Sequence, residues 1–331
     1  MSFKISIIIP TRWNKDNITN IFSCLKNQIF QDFNVYLIID KKLDERWYET
    51  LKSTLINELN FNYQDFSQWT WTRDKKYNLI YNLNSDFDSE VGEWASYVRN
   101  YWLNLANWEF INFFDDDIIF ENDYLQQSLD YRTSFRNEIS TDFVLTPTLM
   151  YRKTGKIQNQ WFKRYIFRQS RPQVNFLINK KPAWSADRSD FIQLYSWNSL
   201  FATSSLFKQF QFDTDINFVA EDLDFTYTIH RAWYPIIVLA DLKVYHMERD
   251  KTLLEQAWVG NPVSAYQKWR NRIIFVRKHG NIRQKILFFA FWLPANNLRL
   301  ILKIYKYSKW KEKRKLISSF LRWVWDWLFK Y

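Results

Sequence analysis

Three consecutive carboxylates, Asp115, Asp116 and Asp117, stand between two apolar runs in the segment FINFFDDDIIF. Adjacent like charges repel one another, and an unpaired carboxylate is costly to bury. A polar turn after a buried strand and a cation site both explain such a triplet. In an extended backbone Asp115 and Asp117 would point to the same side, where their oxygens suit a Mg²⁺ or Mn²⁺ ion that also holds phosphates. The triplet alone leaves both explanations open.

A second acidic group lies in the segment AEDLDFTYTIHRAW, where Glu221 and Asp222 precede residues at helical spacing. These carboxylates are predicted at a helix N-terminus, which favours negative charge. One of them could act as a general base toward an attacking hydroxyl, although a solvated helix cap would look the same. Asp224 is the local competitor for that role, and its position deeper in the helix predicts that it faces elsewhere. His246 ends a short apolar strand, and a lone histidine of this kind is usually structural.

The elements that must position these residues begin with a strand at Lys4–Thr11, a helix with apolar residues from Ile18 to Ile29, and a strand at Asn34–Asp40. Strand, helix and strand at this spacing predict a βαβ unit and a parallel sheet. A further strand, Glu109–Phe114, runs directly into the carboxylate triplet. In open α/β sheets ligands bind beyond the carboxyl ends of the strands, so Asp40 and the triplet are predicted to share one crevice.

The other predicted elements are less directly tied to the chemistry. Residues 60–90 are left unassigned, and residues 151–195 are predicted as a long loop or insertion. The rest are helices near Glu45–Leu59 and Val91–Leu105, a strand in Thr141–Leu149, a strand and a helix in Ser196–Asp213, and two short strands that end with His246.

Composition and charge divide the chain into two parts. The 331 residues are 47% apolar and 24% charged, which is typical of a packed protein and not of general disorder. Residues 264–331 hold 17 Lys or Arg and 2 Asp or Glu, whereas residues 1–263 carry a balance of −4. Because Cys24 is the single cysteine, an internal disulfide is excluded, and a reducing compartment is indicated. The N-terminus has no signal-peptide pattern, and no run is long enough for a confident transmembrane helix.

The ordered motifs SIIIPT, WASYVRN, FFDDDI and AEDLDF, with a strand ending in Asp40 and a late histidine, resemble the nucleotide-sugar-dependent glycosyltransferases of the GT-A fold, specifically family 2. The resemblance covers roughly residues 3–250. It implies an α/β fold with a mixed, mostly parallel, Rossmann-like sheet flanked by helices. The implied catalytic domain is 1–263, with a nucleotide-binding half of about 1–120 and an acceptor half of about 121–263, followed by a basic helical region at 264–331.

The resemblance also implies a role for each matched residue. Asp222 is the general base and Glu221 orients the acceptor or the base. The metal, Mn²⁺ or Mg²⁺, is expected on Asp117, Asp115 and His246, and the acceptor on Trp197 and Asn198. The residues expected to contact the nucleotide-sugar donor are Thr11, Arg12, Asp40, Arg99, Asp115 and Asp116. As a plain helix cation, Arg99 would instead have no role in the site.

These roles imply an inverting hexosyltransferase that builds a surface polysaccharide or glycolipid. UDP-hexose is the default donor, and a dTDP-deoxysugar such as rhamnose is the alternative. The donor sugar, the acceptor and the oligomeric state are not specified by the sequence. A nucleic-acid-binding protein and a non-catalytic scaffold are the rival classes, and the first would explain the basic tail but not the ordered acidic motifs.

The basic tail interleaves Lys and Arg with Trp, Phe, Leu and Ile. Its longest apolar run, Ile286–Pro294, is too short to span a bilayer. Apolar residues between Leu316 and Leu328 recur at helical spacing, which predicts an amphipathic helix for an anionic headgroup layer. A helix packed on the catalytic domain or on another subunit is the alternative. We therefore expect a cytoplasmic protein that is peripheral on the inner face of the cell membrane through residues 282–331.

Overall fold

The computed structural model contains a nine-stranded mixed sheet with helices on both faces. The residues that the structure describes are 4–11, 14–39, 53, 77–81, 96, 99–100, 103, 108–153, 155, 157–159, 199–216, 220–247, 262–307, 313–318, 321–322 and 325. The strands are β1 Ile5–Thr11, β2 Phe33–Ile39, β3 Tyr77–Tyr81, β4 Phe110–Phe114, β5 Ile118–Phe120, β6 Val144–Tyr151, β7 Ile157–Asn159, β8 Ser199–Thr203 and β9 Ile236–His246. The helices are α1 Lys15–Lys26, α2 Tyr124–Arg136, α3 Ser204–Lys208, α4 Glu221–Arg231, α5 Pro262–His279, α6 Ile282–Leu287 and α7 Leu293–Tyr307.

The predicted βαβ unit is present as β1, α1 and β2. Asn14 caps α1 by accepting hydrogen bonds from the backbone amides of Asp16 and Asn17. β1 pairs in parallel with β2 on one side and with β4 on the other. This register brings the carboxyl end of β1, at Thr11, beside the residues that follow β4.

The sheet is buried on both faces, which explains why its central strands are almost continuously apolar. Ile5, Ile7 and Ile9 alternate toward one cluster, which includes the buried face of α1. Ile8 belongs to the opposite cluster, which includes Phe225 of α4. Cys24 packs at the edge of the first cluster, and burial raises the pKa of its thiol.

The strand order is β3-β2-β1-β4-β8-β6-β9-β5, and β7 pairs with β6. From β3 to β4 every pairing is parallel. Beyond β4 the sheet becomes mixed, because β8 pairs antiparallel with both β4 and β6, and β5 pairs antiparallel with β9. The predicted fold class is confirmed, with parallel pairing concentrated in the N-terminal half.

The segment before His246 differs from its prediction. It forms one strand, β9, and not two short ones. Its pairing with β6 shifts between Pro147 and Thr148, whose partners are Leu239 and Lys243. The irregularity accommodates extra β9 residues without ending the strand. β7 is likewise a short strand inside the region predicted as a loop.

The C-terminal region begins with α5, α6 and α7, and a π-helix at Phe288–Trp292 joins α6 to α7. Asn281 caps α6 in a capping box with Gln284. Among the described helices none is long and apolar enough to cross a bilayer. Residues 313–318 are helical, which covers the start of the predicted helix Leu316–Leu328, and most of the remainder lies outside the described residues.

Candidate active site

The carboxylate triplet forms the turn between β4 and β5. Phe114 ends β4 and Ile118 begins β5. Ile118 lies opposite His246 in the antiparallel pairing of β5 with β9. This pairing places Asp117 Oδ2 3.0 Å from His246 Nε2. The backbone is fixed as well, because the Met247 amide donates a 2.8 Å hydrogen bond to the carbonyl oxygen of Asp117. Two residues far apart in sequence are therefore held side by side by sheet register.

Asp116 points toward the end of β1. Its carboxylate accepts a short hydrogen bond from the buried hydroxyl of Thr11 and another hydrogen bond from Asn17 of α1. Burial nevertheless raises the pKa of Asp116 to about 6, because the hydrogen bond from Thr11 offsets the loss of hydration only in part and Asp117 adds like charge. The end of β1 and the triplet thus form one polar surface.

Arg99 connects the triplet with helix α4. Its Nη1 lies 3.0 Å from Glu221 Oε1, and its Nη2 lies 3.7 Å from Asp115 Oδ1. The guanidinium is almost fully buried and lies over the ring of Phe212 at 5.6 Å. Burial, followed by the charge of Asp117, raises the pKa of Asp115 well above its usual value although Arg99 opposes the shift. One buried arginine is therefore shared by carboxylates of two elements.

Helix α4 carries the other acidic residues. It starts after Ala220, which has a left-handed backbone with φ of 76°, and its first turn contains Glu221, Asp222 and Asp224. Glu221 turns toward Arg99, as described above. Asp224 is fully buried and contacts Lys278 and His279 of α5. The expectation that Asp224 faces away from the triplet agrees with these contacts.

The side chains around the triplet fit a divalent cation by their chemistry. Asp117 and His246 are already in contact, and Asp115 belongs to the same turn, close enough for the charge of Asp117 to raise its pKa. Carboxylate oxygens with one imidazole nitrogen suit Mn²⁺ better than Mg²⁺. Within the described residues, no three such side chains are prearranged as a complete metal site. Phosphate oxygens of a substrate commonly complete the coordination of such cations.

Several of the predicted site residues lie outside the described residues. Arg12 and Asp40, predicted for the donor, are two of them. Trp197 and Asn198, predicted for the acceptor, are the others. Of the remaining eight, contacts join Thr11 to Asp116, Arg99 to Asp115 and Glu221, and Asp117 to His246. Asp222 follows Glu221 in the first turn of α4.

Sequence reasoning missed some residues that shape this site. Asn17 supports Asp116, and Phe212 lies under Arg99. Lys278 and His279 hold the first turn of α4 through Asp224. Asn17 follows the loop after β1, and this position could have suggested its role. Lys278 and His279 carry no such indication, because the pattern of the C-terminal part is only generally basic and aromatic.

A cavity of about 770 Å³ lies elsewhere in the molecule. Its lining includes Phe110, Arg132 and Thr203, at the amino end of β4 and the carboxyl end of β8. The triplet follows the opposite end of β4. This cavity is therefore separate from the candidate active site, which is identified by the convergence of titratable groups.

No protein-family model matches the chain, and no curated protein matches it in sequence. Solved structures do match it in fold. TarS 1–349 from S. aureus in complex with UDP-GlcNAc has a TM-score of 0.52 at 18% identity, over 97% of this chain and 80% of that chain. A longer structure of S. aureus TarS has a TM-score of 0.50 at 18% identity, over 96% of this chain and 48% of that chain. The mannosyltransferase PcManGT from Pyrobaculum calidifontis, in complex with GDP-Man and Mn²⁺, has a TM-score of 0.55 at 11% identity, over 98% and 88% of the two chains.

The mixed sheet flanked by helices is therefore a glycosyltransferase fold, and the acidic turn lies at the carboxyl end of one of its parallel strands. At these identities the likeness establishes the fold. The activity has to be argued from the site.

Proposed function

We propose that this protein is an inverting, metal-dependent glycosyltransferase of the GT-A type, related to family 2. It moves a sugar from a nucleotide-sugar donor, by default a UDP-hexose, to a hydroxyl of a glycan or a lipid-linked acceptor. The observation that carries this proposal is the 3.0 Å contact between Asp117 and His246 at the end of β4, within a glycosyltransferase fold. The structures of similar fold solved with UDP-GlcNAc and with GDP-Man and Mn²⁺ support a nucleotide sugar as the donor.

The proposal assigns roles toward the donor to residues of the turn, of the first strand and of two other segments. Asp117, Asp115 and His246 would hold Mn²⁺ or Mg²⁺, which stabilises the negative charge of the leaving nucleoside diphosphate when it is bound. Asp116, supported by Thr11, hydrogen-bonds the ribose. Arg12 and Asp40 contact the base and the ribose. Arg99 orients Asp115 and Glu221.

The residues assigned to the acceptor side are on α4 and in the segment before β8. Asp222 accepts the proton of the acceptor hydroxyl while the hydroxyl oxygen bonds to the anomeric carbon and the bond from that carbon to the diphosphate breaks. Attack from the face opposite the leaving group inverts the configuration. Glu221 orients the acceptor or Asp222, and Trp197 and Asn198 contact the acceptor sugar.

A donor panel with Mn²⁺ tests the proposal. UDP-hexoses, GDP-mannose and dTDP-rhamnose are compared by thermal shift, nucleotide release and transfer to an anionic-lipid extract. We expect stabilisation and turnover with one donor class, and dTDP-rhamnose is the alternative to UDP-hexose. Asp222→Asn is expected to abolish transfer and to leave donor binding largely intact. If Asp222→Asn removes donor binding, Asp222 is not the base.

The proposed arrangement divides the chain into a catalytic domain, 1–263, and a basic helical region, 264–331. The two halves of the catalytic domain, about 1–120 and 121–263, would hold the donor and the acceptor. The helical region would contact the inner face of the cell membrane, where lipid-linked acceptors of surface polysaccharides or glycolipids would be met.

The exposed face of α6, the π-helix and α7 supports this membrane contact. Six large side chains on it are 57% to 72% exposed, namely Ile282, Ile286, Phe291, Leu298, Leu302 and Tyr305. Ile282 and Ile286 are four residues apart, whereas Ile286 and Phe291 are five residues apart, and the π-helix begins between these last two. Because a π-helix accommodates one extra residue, the apolar side chains stay on one face.

The rest of the same helical segment supports this orientation. Phe288 and Leu293 are buried on its inner side, and Arg272 of α5 lies over the Trp292 ring at 4.4 Å. The exposed cations Arg283 and Arg299 each follow an exposed apolar residue by one position. An apolar stripe with cations along its edge is complementary to an anionic headgroup layer.

Sedimentation with vesicles tests this contact. We expect the full chain to bind phosphatidylglycerol-containing vesicles and not phosphatidylcholine vesicles. The double variant Phe291→Ser, Leu298→Ser should weaken binding by about tenfold or more, from the apolar area removed. The control is Ile29→Ser, Trp233→Ser, which removes two apolar residues elsewhere that are at least as exposed. If the first variant instead dissociates a dimer, the face joins two copies of the chain.

Retention on RNA without any sugar transfer would favour the nucleic-acid-binding alternative.

A further inference from the structure

Asp224 belongs to a buried ionic cluster that the proposed reaction does not use. Its Oδ1 lies 2.6 Å from His279 Nε2, and its Oδ2 accepts a 2.8 Å hydrogen bond from Lys278 Nζ. Lys278 Nζ also donates to Asp213 Oδ2 at 2.7 Å. We call Asp213, Asp224, Lys278 and His279 the Asp224 cluster. It joins the end of α5 to the first turn of α4 and to the segment before it.

Packing holds the Asp224 cluster in one geometry. The His279 ring meets Tyr227 of α4 edge-on with centroids 4.6 Å apart, and it lies 4.8 Å from Phe275 of its own helix. The carbonyl oxygen of His279 accepts a hydrogen bond from Arg231 at the end of α4. A buried carboxylate tolerates its loss of hydration only when its partners are well placed. Here α5 supplies partners along the whole length of α4.

The first turn of α4 depends on such outside contacts. The N-cap residue, Ala220, makes no side-chain capping hydrogen bond, and its left-handed backbone costs an L-residue about 1 kcal/mol. The segment before the helix is tied to other elements, because Arg270 donates to the carbonyl oxygen of Asp215 and Ser96 donates to that of Ile216. Asp224 then fixes the turn itself, two residues after Asp222.

We propose that Asp224, held by Lys278 and His279, is a positioning residue for the reaction. Its contacts set the rotation of the first turn of α4 and thereby the direction of the Asp222 carboxylate. A general base must come within about 3 Å of the proton that it accepts. This inference rests on the proposed role of Asp222 and adds that the C-terminal region is part of the catalytic machinery.

The isosteric variant Asp224→Asn tests the inference. We expect the kcat of sugar transfer to fall by about ten- to a hundredfold, because a misplacement of about 1 Å has this effect, with the donor KM changed by less than about twofold. His279→Leu should act in the same direction. His279→Gln should recover most of the activity, because its amide nitrogen can donate near the position of Nε2. Lys26→Met, at an exposed lysine of α1, is the matched control for Lys278→Met and should be neutral.

Other outcomes would overturn the inference. If folded Asp224→Asn keeps the wild-type kcat, the cluster does not position the base. If activity falls only with the folded fraction, and His279→Gln is no better than His279→Leu, the cluster is merely structural. Should Asp224→Asn not fold, the kcat of Lys278→Met is measured instead, because this variant keeps the contact between Asp224 and His279. A lower kcat at unchanged donor KM would support the inference, and a wild-type kcat would overturn it. A failure of the base assignment is separate, since it would be seen with Asp222→Asn alone.

Discussion

The triplet at the β4–β5 turn and the Asp224 cluster place carboxylates in opposite electrostatic environments. In the Asp224 cluster, Lys278 donates to both Asp213 and Asp224, and His279 contacts Asp224. At the turn, Asp115 shares Arg99 with Glu221, Asp116 accepts hydrogen bonds from Thr11 and Asn17, and Asp117 contacts His246. The pKa values differ accordingly, because that of Asp213 lies below its usual range whereas those of Asp115 and Asp116 are raised.

This difference separates a positioning role, proposed for the Asp224 cluster, from a ligand-binding role, proposed for the triplet. The chain itself supplies the partners of the carboxylates in the Asp224 cluster, so the cluster contributes to the packing of α4 on α5. In the described part of the chain, the charge of the triplet is matched only in part. Retained, partly buried negative charge has an energetic cost, and binding a divalent cation would remove that cost. The comparison predicts that removing carboxylates from the two groups has different consequences.

The largest expected effect is on the proposed metal site. Asp117→Asn, or chelation of divalent ions with EDTA, should lower sugar transfer on the order of 10³-fold, because a bound cation supplies several kcal/mol of charge stabilisation. Mn²⁺ should raise the Tm of the unmodified chain and not that of the variant. Asp241→Asn, at an exposed carboxylate, is the control. If Mn²⁺ stabilised both proteins equally, the cation would bind at a site other than Asp117.

The next effect is on stability and contrasts the two groups directly. Asp224→Leu should lower the free energy of unfolding by about 3 kcal/mol, because the buried His279 loses its partner and Lys278, which is partly exposed, keeps only Asp213. Asp115→Asn in metal-free protein should leave that free energy unchanged or raise it by up to about 1 kcal/mol, since it removes charge from a crowded site. Urea denaturation measures both. A comparable loss in the two variants would mean that the triplet is also a structural element.

The sequence predicts the part of this contrast that depends on strand order. Apolar runs ending in Thr11 and in Phe114 are enough to place Asp116 near β1 once a parallel sheet is assumed. The distance between Asp117 and His246 is harder to predict, because it depends on the antiparallel pairing of the three-residue strand β5 with β9. The partners of Asp224 follow no periodicity that a local pattern could reveal, since 54 and 55 residues separate it from Lys278 and His279.

Arg99 links the triplet to α4, the helix that also carries Asp224, because it contacts both Asp115 and Glu221. Arg99→Met should cost roughly 2–3 kcal/mol of stability in metal-free protein, the range for charged hydrogen bonds lost from a buried site. The stability of Arg99→Lys should lie between those of Arg99→Met and the unmodified chain. The lysine ammonium keeps the positive charge but lacks the forked guanidinium that reaches both Asp115 and Glu221. Added Mn²⁺ should recover part of the loss by supplying positive charge near Asp115. If Mn²⁺ stabilises Arg99→Met no more than it stabilises the unmodified chain, Arg99 and the cation do not share the charge of the triplet.

The smallest expected effect is on the acid stability that the Asp224 cluster provides. Burial by itself would raise the pKa of Asp213. Hydrogen bonds from Lys278 and from the Asp215 amide outweigh this effect, so the pKa is lowered. The native pKa therefore lies below the unfolded value of about 4, so the unfolded chain binds more protons between these two values. The stabilisation by this group is present above the unfolded pKa and is lost as the pH falls through the native one. Because Lys278 and Asp213 are partly exposed, Lys278→Met should reduce this loss by at most about 1 kcal/mol. Urea unfolding between pH 5 and pH 3, with Lys26→Met as control, measures it, and identical pH dependence in both variants would show that Lys278 does not set the pKa of Asp213.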